Sequence, residues 1–180
     1  MKPYFRVIIN WCKLNLIALC GQSTVEIDKI PLLGYNTRVV QKKNSHLYVG
    51  DRVQSDGRLS IVLDQNSKLI LNKYVYFNED CMISVKSEVN IGSNCKFGPG
   101  VKIFDNNHLF TRESGVSGKC SSAPIMIGEN TWIGANCVIL KGVTIGRNCV
   151  IGAGCVIREN IPDYSIVTLE HNLKIRKMKD

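Results

Sequence analysis

A six-residue period of large apolar side chains constrains the fold of this chain more than any other feature. We call the residues of this period anchors, and they are Ile91, Phe97, Ile103, Ile127, Ile133, Ile139, Ile145, Ile151 and Ile157. A helix needs apolar residues every three or four positions and an ordinary strand needs strict alternation, so neither explains the period. Glycine follows two of every three anchors, whereas Phe104, Leu140 and Arg158 follow every third one. The anchors therefore also group into units of eighteen residues.

Three hexads can form one turn of a three-sided solenoid. Each hexad would supply one face, with its anchor pointing inward and its glycine easing the chain around a corner. The pattern thus predicts an all-β fold, a parallel β-solenoid. Residues 39–77 contain short alternating runs between polar turns, which predicts wider, irregular early coils of the same solenoid.

The predicted domain organisation has three parts. Residues 1–34 form an N-terminal helix and lead-in, residues 35–168 form the solenoid with an inserted loop at about 108–126, and residues 169–180 form a basic tail. The first part is an amphipathic helix packing on the end of the domain. Because no acidic residue precedes Glu26, residues 4–20 could also contact a membrane surface.

The cysteines fit the interior of this solenoid better than a metal site or a disulfide framework. None of the eight forms a C-x-x-C pair. Cys95, Cys137, Cys149 and Cys155 all lie four positions after an anchor, and Cys81 fits if the preceding turn is shifted by two residues. We expect these five to be buried free thiols, which indicates a reducing cytoplasm. Cys12, Cys20 and Cys120 lie outside the register.

The repeat is interrupted once, and the interruption contains the candidate functional residue. After Ile103 the next anchor is expected at position 109 but occurs at Ile127, so eighteen residues are inserted. The insert is rich in Ser, Gly and charge, which predicts a solvent-facing loop. His108 lies at the root of this loop, where a rigid scaffold would hold it.

Two segments resemble the hexapeptide-repeat acyltransferases, above all the sugar O-acetyltransferases of the galactoside, maltose and surface-polysaccharide kind. They are "FDNNHLF" at residues 104–110 and "IGENTWIGANCVILKGVTIGRNCVIGAGCVIRENIPDYSIV" at residues 127–167. The resemblance implies a left-handed parallel β-helix and a homotrimer with active sites between subunits. It also implies acetyl-coenzyme A as donor and a carbohydrate acceptor, with no metal ion.

The same resemblance assigns roles to individual residues. His108 corresponds to the catalytic base, and imidazole suits the removal of a hydroxyl proton near neutral pH. Asp105 and Asn107 would orient His108 or bind the acceptor, and Asn78 and Asp80 would also contact the acceptor. The residues expected to bind the coenzyme are Trp132, Ala135, Ala153, Arg158, Lys174 and Lys177.

These features predict a cytoplasmic O-acetyltransferase of a sugar hydroxyl in surface polysaccharide biosynthesis. Whether it works at the inner face of the membrane stays open. Three alternatives stay open: N-acetylation of an amino sugar or antibiotic, a β-helix carbonic anhydrase, and a non-catalytic membrane-surface scaffold. The carbonic anhydrase needs three zinc-binding histidines, and His46, His108 and His171 are not grouped for this. The formal charge of +8 comes with no nucleic-acid-binding motif, so no nucleic acid partner is expected.

Overall fold

A computed structural model describes residues 3–169 of the chain. Within this range, helix α1 spans Pro3–Gly21 and is followed by twenty β-strands. The strands are β1 Thr24–Ile27, β2 Arg38–Gln41, β3 His46–Val49, β4 Gln54–Ser55, β5 Leu59–Leu63, β6 Lys68–Leu71, β7 Tyr76–Phe77, β8 Cys81–Val85, β9 Glu88–Ile91, β10 Lys96–Phe97, β11 Lys102–Phe104, β12 Asn106–Thr111, β13 Gly115–Ser122, β14 Ile125–Ile127, β15 Trp132–Ile133, β16 Val138–Leu140, β17 Thr144–Ile145, β18 Val150–Ile151, β19 Val156–Ile157 and β20 Ile166–Val167.

All strands except β12 and β13 belong to three parallel sheets, which are the three faces of a solenoid. Face A contains β1, β3, β6, β9, β14 and β17, and face B contains β4, β7, β10, β15, β18 and β20. Face C contains β2, β5, β8, β11, β16 and β19. The chain visits the faces in the order A, B, C, so successive coils stack on one another. The predicted three-sided parallel β-solenoid is confirmed.

The anchors stack on each other along the inside of every face. On face C, Ile103 pairs with Ile139 and Ile139 pairs with Ile157. Every anchor is at most 4% exposed. On face B the rings of Phe77 and Phe97 are stacked with their centroids 4.7 Å apart. The six-residue period therefore reflects one continuous apolar interior.

The early coils are longer than the later ones, as the sequence predicts, but they are regular. Val39 pairs with Ile61, which pairs with Ile83, so these coils take 22 residues each. Ile139 pairs with Ile157 after 18 residues. The extra residues lengthen the strands on faces A and C in pairs, which preserves the alternation of inward and outward side chains. The expectation of irregular early coils is therefore wrong.

Glycine and asparagine have different structural roles at the corners of the solenoid. A Cβ atom added to Gly128 would lie 2.4 Å from the backbone nitrogen of Arg147 in the next coil, so this glycine is required by the close approach of two coils. The left-handed turn itself is made two residues later by Asn130, at φ 57°. Its side-chain Oδ1 accepts a hydrogen bond of 3.1 Å from Nδ2 of Asn94 in the preceding coil.

The interior thiols are buried, as the sequence predicts. Cys81, Cys95, Cys137, Cys149 and Cys155 are each at most 3% exposed. Sγ of Cys95 donates to the carbonyl of Gly128 at 3.0 Å, and Cys137 makes the equivalent contact with Gly152. Burial raises the pKa of Cys81 and of Cys95 to about 11. These thiols are packing groups of the core.

Helix α1 lies on the first coils of the solenoid, which confirms the predicted N-terminal helix. Leu14 is 2% exposed, and Nδ2 of Asn10 donates to the carbonyl of Leu33 at 2.6 Å. Nζ of Lys13 donates to the carbonyl of Thr37. None of the helices in the described range combines the length and hydropathy that a membrane span requires.

We expect the substitution Ile139→Ala to lower the free energy of unfolding by about 2–5 kcal/mol, because it opens a cavity in the anchor stack. Chemical denaturation followed by far-UV circular dichroism measures the change. The control is Ile166→Ala, because Ile166 is 75% exposed on face B and its loss should cost no more than about 0.5 kcal/mol. Equal effects of the two substitutions would contradict the stacking account.

Candidate active site

Most of the inserted residues belong to a projecting antiparallel hairpin of β12 and β13 rather than to an irregular loop. It leaves the solenoid at the corner between faces C and A, which we call the CA corner. Its ladder runs from Asn106 opposite Ser122 to Thr111 opposite Gly115, with an irregular register between His108 and Phe110. Because the insert must leave and re-enter the solenoid at one corner, its two ends lie side by side and can pair.

Asp105 fixes the root of the hairpin. Its side chain is 0% exposed, and its carboxylate accepts backbone hydrogen bonds from Lys86 at 2.8 Å and Ser87 at 2.7 Å. Nδ2 of Asn106 donates to the same carboxylate at 3.0 Å. The backbone N–H of Ala123 donates to the Asp105 carbonyl at 2.9 Å, which closes the base of the hairpin. These bonds tie both ends of the insert to the preceding coil.

Basic and acidic side chains alternate in successive coils along the CA corner, as far as the root of the hairpin. Nζ of Lys42 lies 2.9 Å from Oδ1 of Asp64, and Nζ of Lys86 contacts the other carboxylate oxygen of Asp64. Hydrogen bonds from Lys86 and then Lys42 hold the pKa of Asp64 well below its usual range. The Asp64 carboxylate in turn raises the pKa of Lys86. The lysine whose backbone binds Asp105 is therefore itself held by an ion pair.

His108 lies three residues beyond Asp105, directly opposite Cys120 across the hairpin. Its Nδ1 is 3.6 Å from Sγ of Cys120, while the ring is exposed to solvent. This contact involves only one of the two ring nitrogens, Nδ1. No role for Cys120 follows from the sequence, because only the pairing of β12 with β13 shows that the two residues are neighbours.

Two more of the predicted site residues belong to the CA corner. Asn107 is exposed and stands opposite Ser121 in the hairpin, whose hydroxyl accepts a 2.9 Å hydrogen bond from Nζ of Lys141. Arg158 follows β19 and is exposed at the same corner two coils beyond the hairpin root. Asp105, Asn107, His108 and Arg158 form the group that we call the CA group.

Asn78 and Asp80 lie instead at the corner between faces B and C, the BC corner. Oδ1 of Asn78 accepts a backbone hydrogen bond from Glu79 at 2.7 Å. Asp80 forms a 2.7 Å ion pair with Nη2 of Arg58 and lines a surface groove of about 680 Å³. Both side chains therefore already have partners within the chain.

Ala135 and Ala153 also lie at the BC corner, in adjacent coils. The backbone N–H of Gly154 donates to the carbonyl of Ala135 at 2.8 Å, which stacks the two turns. With Asn78 and Asp80 they form the BC group. Trp132 belongs to neither corner, because its side chain projects from face B and is 54% exposed. Lys174 and Lys177 lie outside the described residues.

Apart from Trp132, the predicted site residues in the described range therefore divide between two corners of the solenoid. The hairpin also exposes apolar side chains, because Phe110 is 79% exposed and its cross-strand partner Val116 is 72% exposed. Among residues 3–169, no cluster of three or more His, Cys, Asp or Glu side chains could hold a metal ion. A single chain thus places the predicted site residues in two separate groups and carries an apolar projection.

Comparison with known proteins confirms the resemblance that the sequence indicates. Residues 124–159 match the family model for the bacterial transferase hexapeptide, with six repeats. The chain is 36% identical over 81 residues to nodulation protein L of Rhizobium leguminosarum bv. viciae, covering 45% of this chain and 43% of that protein. It is also 36% identical over 84 residues to the galactoside O-acetyltransferase of Escherichia coli K12, covering 47% of this chain and 41% of the relative.

The chain therefore spans less than half the length of these two relatives. Over most of its own length it shares a fold with a crystal structure of a mutant of AntD, an N-acyltransferase from Bacillus cereus, in complex with coenzyme A and dTDP-4-amino-4,6-dideoxyglucose. The TM-score is 0.64 at 15% identity, covering 92% of this chain and 89% of that one. This likeness extends the solenoid match beyond the repeat itself.

We expect the substitution Asp64→Asn to lower the free energy of unfolding by about 1 kcal/mol at pH 7, since the ion pairs are partly exposed. Because folding lowers the pKa of Asp64, its contribution is present above the unfolded-state pKa near 4 and is lost as the pH falls further. Denaturation at pH 7, 4 and 2 should show the gap between the two proteins closing. A gap that stays constant to pH 2 would contradict the ion-pair account.

Proposed function

We propose that this chain, with its bacterial transferase hexapeptide repeat, is an acetyl-coenzyme A-dependent O-acetyltransferase of a sugar hydroxyl. The observation that carries the proposal is His108 at the root of the hairpin that interrupts the repeat. The local similarity to a galactoside O-acetyltransferase supports a carbohydrate acceptor. The Asp105 bonds support a rigid placement of the base.

In the proposed reaction His108 acts as the general base. A sugar hydroxyl is too weak an acid to ionise at neutral pH, so its attack on a thioester needs a positioned base. With a proton on Nδ1 shared with Cys120, Nε2 is free to take the hydroxyl proton. The hydroxyl oxygen then bonds to the acetyl carbonyl carbon, and the carbon–sulfur bond breaks. His108 returns the proton to the departing coenzyme A thiolate.

In this proposal Asp105 is a positioning residue that acts through the backbone. Its carboxylate binds the N–H groups of Lys86 and Ser87, so it holds the strand that carries His108 rather than the imidazole ring. The residue in contact with the ring is Cys120. Because the Asp105 side chain is buried, we do not propose that it contacts the acceptor. A direct contact of Asn107 with the acceptor stays a prediction, as do acceptor contacts of Asn78 and Asp80.

We propose that the coenzyme binds along the stacked turns of Ala135 and Ala153, beside Trp132, and reaches Arg158 of a neighbouring subunit. Small side chains at these turns leave backbone groups accessible to the pantetheine arm. Arg158 is an exposed cation that suits a coenzyme phosphate. Lys174 and Lys177 remain predicted phosphate contacts.

The division of these residues between two corners supports a site completed by a second copy. We propose a homotrimer in which the CA group of one subunit faces the BC group of its neighbour. The exposed Phe110 and Val116 of the hairpin would then be covered by the neighbouring subunit. We further propose a cytoplasmic location, where acetyl-coenzyme A is available, and a precursor of a surface polysaccharide as the acceptor.

We expect His108→Ala to lower kcat about 100-fold or more, the loss typical of a missing general base. Release of free thiol from acetyl-coenzyme A with a panel of sugars measures the rate, and mass spectrometry identifies the acetylated product. The control is His46→Ala, because His46 lies on β3, 4.0 Å from Glu26 and far along the chain from the hairpin. Gel filtration checks that each variant keeps the oligomeric state of the wild type.

Acetylation of amino sugars but of no hydroxyl acceptor would contradict the proposed function and assign N-acetylation instead. Full activity of His108→Ala would contradict the role of the base while leaving the reaction class intact. If neither hydroxyl nor amine acceptors cause release of thiol from acetyl-coenzyme A, the result would favour the non-catalytic scaffold.

We expect alkylation of Cys120 to block acetyl transfer, because an added group would lie against Nδ1 of His108. Cys120→Ser should keep activity within about tenfold of the wild type and lose its sensitivity to alkylation. Cys12→Ser is the matched control, because Cys12 is an exposed free cysteine on α1, away from the hairpin, whereas Cys120 is half-buried. An enzyme with Cys120 fully alkylated and still active would contradict the contact between the thiol and the base.

A further inference from the structure

Helix α1 has two apolar faces, and the solenoid covers only one of them. The covered face includes Asn10, Leu14 and the partly buried Ile17. The opposite face exposes large apolar side chains: Phe5 is 57% exposed, Ile8 59%, Trp11 53%, Leu16 62% and Leu19 81%. Such side chains normally occur singly on the surface of a soluble domain, so their concentration on one helix indicates a contact surface.

These side chains form a continuous stripe along the helix. Phe5, Ile8, Cys12, Leu16 and Leu19 follow one another at intervals of three or four residues, which places them on one side of the helix. Cys12 is exposed like its neighbours. The stripe is about 21 Å long at 1.5 Å per residue. We call this surface the α1 stripe, with Trp11 at its edge.

The positive charge of this segment indicates what kind of surface binds the α1 stripe. Residues 1–25 contain Lys2, Arg6 and Lys13 and no acidic residue. The coil beneath the helix adds the exposed Arg38 and Lys43, and Asn44, next to Lys43, donates its N–H to the carbonyl of Gln22 just beyond the helix. Two copies packed stripe to stripe would bring like charges together. An anionic surface would neutralise them.

We propose that the α1 stripe docks onto the surface of an anionic lipid bilayer. The helix lies parallel to the membrane, with Phe5, Ile8, Leu16 and Leu19 at the boundary between headgroups and acyl chains. Trp11 lies at the same depth, where the amphipathic indole ring is favoured. The net positive charge of the helix segment and the first coil attracts the anionic headgroups. This surface is independent of the proposed acetyl transfer, and it holds the hairpin site on a solenoid anchored at one end.

The test uses the full-length protein and two kinds of vesicle, one of phosphatidylcholine alone and one containing 30% phosphatidylglycerol. We expect the protein to co-sediment with the anionic vesicles and to partition at least tenfold less into the neutral ones. In the Trp132→Phe background, binding should shift the emission of Trp11 to shorter wavelength. Raising the salt concentration to about 0.5 M should weaken binding, because the headgroup attraction is screened.

The double substitution Ile8→Gln and Leu16→Gln should reduce co-sedimentation at least tenfold without changing thermal unfolding, because both side chains are exposed. The matched control is Ile166→Gln, which removes an equally exposed isoleucine from face B. Failure to bind anionic vesicles, or equal binding of the wild type and the double variant, would overturn the proposal. A concentration-dependent oligomer that the double variant abolishes would assign the stripe to a second copy. Sugar acetylation is assayed separately without lipid, so its outcome leaves this test unaffected.

Discussion

The structure depends on the vertical stacking of one apolar side chain per face per coil. Ile127, Ile133 and Ile139 each lie directly over an anchor of the coil before and under an anchor of the coil after. This register brings the backbones of successive coils within hydrogen-bonding distance, and it leaves so little room at the corners that Gly128 cannot carry a Cβ atom. A change of a single residue in coil length would turn the following side chains to the wrong face, so the coils lengthen on faces A and C only in pairs of residues.

The same constraint decides where a functional insertion can occur. A segment added within a face would break the anchor stack, whereas a segment added at a corner leaves all three stacks intact. Ile103 still pairs with Ile139 across the hairpin, as if the eighteen residues were absent. The insertion disturbs the backbone hydrogen bonds only at the corner where the chain leaves the solenoid. At this corner the buried carboxylate of Asp105 accepts hydrogen bonds from the backbone N–H groups of Lys86 and Ser87.

Much of the fold follows from the sequence. The six-residue repeat is visible in this one sequence, and it predicts both the anchors and the interior cysteines. The location of His108 at an interruption follows for the same reason. The role of Asp105 could not be predicted, because its partners lie 19 and 18 residues earlier and are backbone groups, which leave no mark on the pattern of side chains. The contact of Cys120 with His108 depends on the strand pairing of a Ser- and Gly-rich insert, and such a composition favours a loop over a ladder.

The first coil raises a problem that the later coils do not have, because its upper backbone edge has no preceding coil to bond with. An uncovered edge of this kind can recruit a strand from another molecule. Helix α1 supplies side-chain donors at this edge, from Asn10 to the carbonyl of Leu33 and from Lys13 to that of Thr37. The helix thus ends the repeat chemically as well as sterically. Without the helix, strands of other molecules could pair with this end of the solenoid and build a fibril. The segment that we assign to membrane docking therefore also prevents end-to-end association.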